Sequence, residues 1–306
     1  MSTVAENLAR IKTAKRDIKA AIENKGVSVG DGTIDTYANK IGEISQTITG
    51  KWVVPNGFAI ALKHNNTTMP IEGNLDVTSW DFSQLTDMQK FFSDGGKNLI
   101  ADDIDVSNVT NMNSLFQNVS YTTTVSMKNW DVRNVTDMGL LVQGCPKLVK
   151  INLTGWLTSS KLKNIRNIFS NCNELTQIKG IENWDVSGVN NMYYAFSDLG
   201  EITDINISGW DFSSLDYNNH YGILSNCPKL IHLNFGYNMK YQLTLIDSTN
   251  LSVDSLLSVI NGLYDFVGNN ETPKSSQGKL YLGSTNLAKL TDEQKAIATN
   301  KGWTLS

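Results

Sequence analysis

The chain has 306 residues, 40% of them apolar and 18% charged, with a formal net charge of −4. That composition supports a core, and its mild acidity gives no basic surface for nucleic acid. No apolar run approaches the ~18 residues that cross a bilayer, and no apolar stretch follows a basic start, so neither a membrane span nor a secretory signal peptide is expected.

Residues 4–22 read as a helix, because Val4, Leu8, Ile11, Ile18 and Ile22 recur at three- and four-residue steps. Lys15 sits in the seam of that stripe, and Gly26 is a stop signal. A turn-rich connector, Val27 to Thr33, leads to a second short helix striped by Tyr37, Ile41, Ile44 and Ile48. Two readings stand for this stretch: a helical hairpin packed on the rest, or an oligomerising or docking segment. A narrow stripe on a detached helix suits a partner helix, which favours the second. Trp52-Val53-Val54 then reads as a strand running into a Pro55-Asn56-Gly57 turn, suited to cap one end of a stack.

From about residue 74 to 240 one phrase recurs. Its clearest copy is Trp184-Asp185-Val186-Ser187-Gly188-Val189-Asn190-Asn191-Met192, closed by Phe196. Copies start at 80, 104, 130, 156, 184 and 210, spaced 24 to 28 residues apart. Such a period marks stacked repeats, each touching only its neighbours. Each copy has a short strand, such as Leu148-x-x-Ile151-x-Leu153, and then an Asp-x-Ser corner that closes a turn on its own backbone. Last comes a Met-x-x-x-Phe segment, whose spacing predicts a short helical turn burying both ends. The Trp residues are expected to stack from copy to copy as core. Three copies depart from the phrase: Ile104 replaces Trp, Leu157 replaces Asp, and the Trp210 copy loses its Met.

Strand alternation sorts inward from outward positions. With Ile151 and Leu153 inward, one outward column is Asp76, Ser126, Asn152, Lys179, Asn206 and Asn234, and its neighbour is Thr124, Lys150, Gln177, Asp204 and His232. These columns form the candidate ligand face. Alternatively, they are a solvated surface or amide ladders that stabilise the sheet. Cys145, Cys172 and Cys227 fall at one point of the repeat, and Asn118 is assigned the same slot. An odd count and equivalent placement favour buried free thiols over a redox or metal role, and paired Cys-x-x-Cys spacing is absent.

Beyond residue 251 the pattern changes. Ser252 caps a helix carrying Leu256, Leu257, Val259, Ile260 and Leu263. A loop from Gly268 to Gly278 precedes a strand, Lys279 to Leu282. Thr291 caps a second helix with Asp292 and Glu293 in its first turn, and Gly302 ends it before Trp303-Thr304-Leu305.

Catalytic constellations are not evident. His64, His220 and His232 show no ligand spacing, Gly95-Gly96-Lys97 lacks the phosphate-loop pattern, and Asp102-Asp103 with Asp105 reads as a turn cluster rather than a calcium loop. Neither an enzyme nor a cofactor or metal site is expected.

The phrase Trp-Asp-Val-Ser-x-Val-x-x-Met-x-x-x-Phe, with Cys-x-x-Leu after it, resembles the BspA-like leucine-rich repeats of bacterial surface proteins, and the ending Leu287 to Leu305 resembles the segment that closes such repeats. The stretch Ile18 to Ile41, with Gly26-Val-Ser-Val-Gly-Asp-Gly-Thr33 at its centre, is similar to an N-terminal module of tailed-phage structural proteins, often fibres. These resemblances imply an α/β repeat solenoid: a helical anchor over 1–49, a leucine-rich repeat stack with an N-terminal cap over 50–250, and an α/β C-terminal cap over 251–306. They also imply a bacteriophage virion structural protein, a tail or head fibre or a decoration protein, made in the host cytoplasm. Its N-terminal helices would hold other virion proteins or sister chains, first of all as a homotrimer. Its repeats would bind a host-surface glycan or protein. The alternative is a bacterial cell-surface adhesin, which would carry an export signal or a wall anchor. No nucleic-acid or membrane partner is implied.

Overall fold

The computed structural model describes residues 19–20, 52–54, 74–93 and 98–306. Lys19 and Ala20, inside the helix expected over 4–22, are helical, whereas Val4, Leu8, Ile11, Ile18 and Ile22 lie outside the described residues. So do the second N-terminal helix, the Pro55-Asn56-Gly57 turn and Gly95-Gly96-Lys97.

The chain has a repeat-type α/β fold with parallel sheets and few helices. Its strands are β1 (Trp52–Val53), β2 (Asn74–Asp76), β3 (Trp80–Asp81), β4 (Asn98–Ile100), β5 (Thr124–Ser126), β6 (Lys150–Asn152), β7 (Gln177–Lys179), β8 (Asp204–Asn206), β9 (His232–Asn234) and β10 (Leu243–Thr244). After them come α1 (Val253–Gly262), β11 (Lys279–Tyr281), α2 (Gly283–Leu287), α3 (Asp292–Asn300) and β12 (Thr304–Leu305). Strands β2, β4, β5, β6 and β7 form one parallel sheet in that order, and β8 pairs with β9 in another. Each strand of these two sheets is three residues long with an apolar central residue, and all but β4, which ends in Ile100, are polar on both sides of it. Leu75, Leu99, Val125, Ile151 and Ile178 stand in register, facing the core. The expected strand Trp52-Val53-Val54 is present as β1, which pairs in parallel with β3, Trp52 against Trp80.

Behind the sheet the tryptophans form a column. Trp130 stacks on Trp156 at 5.3 Å and 8°, Trp156 on Trp184 at 5.6 Å and 9°, and Trp184 on Trp210 at 6.2 Å and 10°. Ile104, where the repeat has no Trp, is also buried. The corners close as expected. Asp185 Oδ1 accepts the Ser187 N–H at 3.0 Å and its hydroxyl at 2.6 Å, and Asp105 does the same with Ser107. Both bonds are local, so the corner forms wherever Asp-x-Ser occurs.

The Met-to-Phe segment is not the helical turn its spacing predicts. Met112 and Phe116 are buried. Yet the N–H groups of Met112, Ser114, Phe116 and Asn118 donate sideways, at 2.7–2.9 Å, to carbonyls of Asp137, Gly139, Leu141 and Gln143 in the next repeat. Ser114 and Asn118 have φ of 59° and 58°. A helix needs its donors turned back four residues and right-handed backbone throughout. Here alternate donors are committed to the neighbouring repeat, and a left-handed residue recurs every fourth position.

One extra residue interrupts the ladder. Lys150 lies six residues before Trp156, but Gln177 lies seven before Trp184. Gly180 absorbs the difference with a φ of +90°, where a Cβ would sit 2.4 Å from the Thr154 nitrogen. The sheet breaks there, between β7 and β8. Trp130, Trp156 and Trp210 donate their indole N–H to the carbonyls of Ala101, Met127 and Ile181, whereas that of Trp184 has no partner.

The thiols of Cys145, Cys172 and Cys227 are free and fully buried, donating to the carbonyls of Phe116, Val142 and Phe196 in the preceding repeat at 3.0, 3.0 and 3.1 Å. Asn118 does not share their slot: it is left-handed, aligns with Gly144, Asn171 and Asn226, and leaves the thiol position to buried Val119. Burial pushes the Cys227 thiol up to about 12, and the Cys145 thiol rises well above its ordinary value through its hydrogen bond with Cys172 and burial. Since the thiolate is the reactive form, we expect no labelling of the native chain by dithionitrobenzoate at pH 8 and three equivalents of label after unfolding in urea. Fast labelling before unfolding would show that these sites open.

At the C-terminus the Ser252 hydroxyl caps α1 by accepting the Ser255 N–H, and Thr291 caps α3 in a reciprocal box with Gln294. The expected Lys279–Leu282 strand appears as β11, lying between β10 and β12 in a parallel three-stranded sheet. Helix α2 and strand β10 had no signal in the apolar pattern.

Candidate binding surface

The strand face nominated by the sequence is in register. Ser126, Asn152 and Lys179 are direct partners across β5, β6 and β7, as are Thr124, Lys150 and Gln177. Asp204 pairs with His232, and Asn206 with Asn234. Strand β4 adds two members that the sequence columns omitted. Ile100 stands between Asp76 and Ser126, and Asn98 precedes Thr124. The break after β7 divides each column in two.

Much of this face is spent on the fold itself. Asp76 Oδ1 accepts the Thr78 N–H and hydroxyl at 3.0 and 2.7 Å, Asn152 Oδ1 those of Thr154 at 3.1 and 2.7 Å, and Asn206 Oδ1 those of Ser208 at 3.2 and 2.9 Å. The Ser126 hydroxyl donates to Asp102, which also pairs with Lys128 at 2.9 Å. Burial alone would raise the Asp102 carboxyl, but hydrogen bonds from the Lys128 backbone and ammonium and from Ser126 hold it below its ordinary value. Asp105 is engaged by Ser107, and Asp103 by the Asn129 amide at 2.7 Å. Lys150, Lys179, Asp204, His232 and Asn234 remain exposed, and the two columns contain no tyrosine, tryptophan or phenylalanine.

The opposite edge differs. Asp87, Asn111, Asp137, Asn164 and Asn191 follow one another through parallel bridges. Each side-chain oxygen accepts the N–H two residues on, at 2.7–3.2 Å, and so fixes the turn that carries the next two residues. Those pairs are Gln89-Lys90, Asn113-Ser114, Gly139-Leu140, Arg166-Asn167 and Tyr193-Tyr194, with Ser114 buried among them, and Tyr221-Gly222 follows in line because the Tyr194 N–H donates to the Tyr221 carbonyl. At its far end, therefore, the edge turns aromatic. Tyr193, Tyr194, Tyr217 and Tyr221 keep 37–49% of their surface exposed. Tyr193 packs edge-on against Tyr194 at 4.5 Å. Tyr194 lies over Gly222, where a Cβ would meet its ring at 2.5 Å, so only glycine leaves room for that ring.

Beneath these rings is His220. The Trp210 repeat is longer by two residues between its Trp and this edge, and His220 fills the position held by Met192 one repeat earlier. It is 1% exposed and stacked on Tyr221 and on Tyr241 at 4.7 Å each; neither ring nitrogen makes a well-aligned hydrogen bond, and only the backbone of Asp216 and Tyr217 lies near enough to compensate it in part. Burial lowers its pKa from 6.5. The nearby backbone of Asp216 and Tyr217 offsets that shift only in part. Among the described residues no three His, Cys, Asp or Glu side chains are grouped to hold a metal ion, and no helix is long and apolar enough to cross a membrane.

The family described as "Mycoplasma protein of unknown function, DUF285" matches residues 61–177 and again residues 143–239, together more than half of the chain. The chain belongs to the DUF285 family. No curated protein and no solved structure matches it. Together the matches span the repeats from their start to residue 239, so the Asp/Asn bridge edge and the tyrosine cluster are features of DUF285 repeats in this chain. The sequence columns missed that edge, although its signal was present: the Asp or Asn directly before Met88, Met112, Met138 and Met192, and before Ile165 in the Trp156 repeat.

Proposed function

We propose that this chain is a recognition and display protein of a bacteriophage virion, a tail or head fibre or a decoration protein. In this reading the DUF285 repeats form a continuous BspA-like leucine-rich solenoid, and residues 1–49 join the chain to sister chains, first of all as a trimer, or to other virion proteins. The observation that carries the recognition half is the exposed tyrosine cluster on an edge that backbone bonds tie repeat to repeat. Folding tends to bury aromatic rings, and four held at the surface of one edge mark a place where a partner sits. The virion half is supported by the resemblance of Ile18 to Ile41 to a phage structural module.

A second reading, a bacterial cell-surface adhesin, is favoured by the family's description as a Mycoplasma protein. Mass spectrometry of purified particles separates the two: the chain should be a stoichiometric particle component, and its absence there with cleavage by protease on intact cells would establish the adhesin. For assembly, light scattering after size exclusion should give a trimer for the full chain and a folded monomer for a chain beginning at Lys51, which keeps β1. Two monomers would end the self-association reading.

A further inference from the structure

We propose that the tyrosine cluster of the Trp184 and Trp210 repeats, rather than the strand face, is a binding site for a neutral saccharide, an inference that rests on the display reading above. Three observations set the ligand class: size, charge and preorganisation.

Size comes first. Four tyrosine side chains exposed by 37–49% offer on the order of 350 Å². A stable protein partner needs about 800 Å² on each side. The pairs that precede the cluster on this edge, Gln89-Lys90 through Arg166-Asn167, contain one apolar side chain, Leu140, so the apolar footprint does not extend along the stack. An area this small fits one or two sugar rings.

Charge comes second. Across 190–194 and 216–222, the two segments that form the cluster, the only charged side chain is Asp216. The remainder are phenols, amides and the imidazole of His220, whose pKa is lowered by burial. A sialylated, sulfated or phosphorylated ligand needs cations to replace its lost hydration; these segments supply none, and the one cation of the adjoining pair on this edge is Arg166, a repeat away from Tyr193. Phenol rings offer apolar faces to the C–H faces of a pyranose, while their hydroxyls and the neighbouring Asn218 and Asn219 amides can exchange hydrogen bonds with its hydroxyls.

Preorganisation comes third. Tyr194 is fixed over Gly222 and against Tyr193, and Tyr221 is stacked on His220, which is itself stacked on Tyr241. Rings held before binding lose little entropy when a ligand arrives. The strand face has no such platform.

The test uses the full chain on an array of neutral and acidic saccharides, with the neutral hits titrated against the wild type, Tyr193→Ala and Tyr221→Ala. Both side chains are exposed and outside the main core, so each variant should still fold, which circular dichroism melting checks. Neutral saccharides should bind, and each variant should bind roughly tenfold more weakly. Binding confined to acidic saccharides, binding unaffected by either variant, or no binding on the array would each overturn the inference. Presence of the chain in purified particles, measured separately, is untouched by those outcomes, so this inference can fail while the display reading holds.

Discussion

Replacing Trp156 by Ala should destabilise the chain by about 3–5 kcal/mol, the range for emptying a buried aromatic position. Trp156 has Trp130 on one face at 5.3 Å and Trp184 on the other at 5.6 Å. Its indole N–H also serves the Met127 carbonyl. Truncation removes both stacking faces and leaves a buried acceptor unpaired, and neither neighbouring ring can slide inward without leaving its own repeat. In the solenoid proposed above each repeat touches only its neighbours, so the damage should be local. Urea unfolding followed by circular dichroism should show a loss of cooperativity as well as a lower midpoint. Trp156→Phe keeps a ring without the donor and should recover part of the loss. A cost under about 1 kcal/mol for Trp156→Ala would show that the column does not hold the repeats together.

The parts of this architecture legible in the sequence are those whose determinants lie within a few residues. Asp185 and Ser187 close their corner on themselves, Ser252 and Thr291 cap their helices, and Ile151 and Leu153 alternate inward because a strand has period two. The Met-to-Phe segment was misread because its deciding bonds run to residues about 26 positions away, as from Met112 to Asp137. A four-residue spacing of buried side chains is common to a helical turn and to this run of turns, and only the destination of the N–H groups separates them.

The same limit hid the tyrosine surface. Tyr193 and Tyr194 look like variation between a Met and a Phe until the bridge edge places them beside Tyr221 and Gly222. His220 was obscured by the longer spacing of its own repeat, so that the repeat appeared to have lost its Met. Gly180 was equally silent: the 28-residue step between Trp156 and Trp184 carried the insertion, but its effect on β7 and β8 depends on the register of separate repeats. The two faces of each repeat thus differ in kind. On the strand face several polar groups cap their own corners, and on the bridge edge the caps fix turns whose following residues include the exposed Tyr193 and Tyr194. That geometry makes the bridge edge the better place to vary a binding surface without disturbing the stack.

His220→Met should raise stability at pH 8 by about 1–3 kcal/mol, the usual cost of leaving buried polar groups unpaired. Methionine occupies the same position as Met88, Met112, Met138 and Met192 in other repeats, each buried, so the slot already accepts it. The larger difference should appear in acid. The folded-state pKa of His220 is depressed below 6.5, chiefly by burial. Above 6.5 the imidazole is neutral in both states and pH changes nothing. As pH falls below 6.5, the unfolded chain takes up a proton that the folded chain refuses, so stability drops until pH reaches the folded pKa, where the slope ends. Stacking between Tyr221 and Tyr241 offers a desolvated cation about 2 kcal/mol or somewhat more. Desolvating that charge costs several kcal/mol, so the neutral form wins. Carboxylates held low, such as Asp102, add their loss only at more acidic pH and do so equally in both proteins. Urea unfolding of the two proteins from pH 8 to pH 4.5 isolates the histidine: their stability difference should be constant at high pH and widen below about 6.5. A difference that stays flat across the range, or a variant less stable at pH 8, would mean that His220 has partners in solution that satisfy its ring. If the difference widens, His220 is the group that makes the folded repeat acid-sensitive, and it is the ring on which Tyr221 rests.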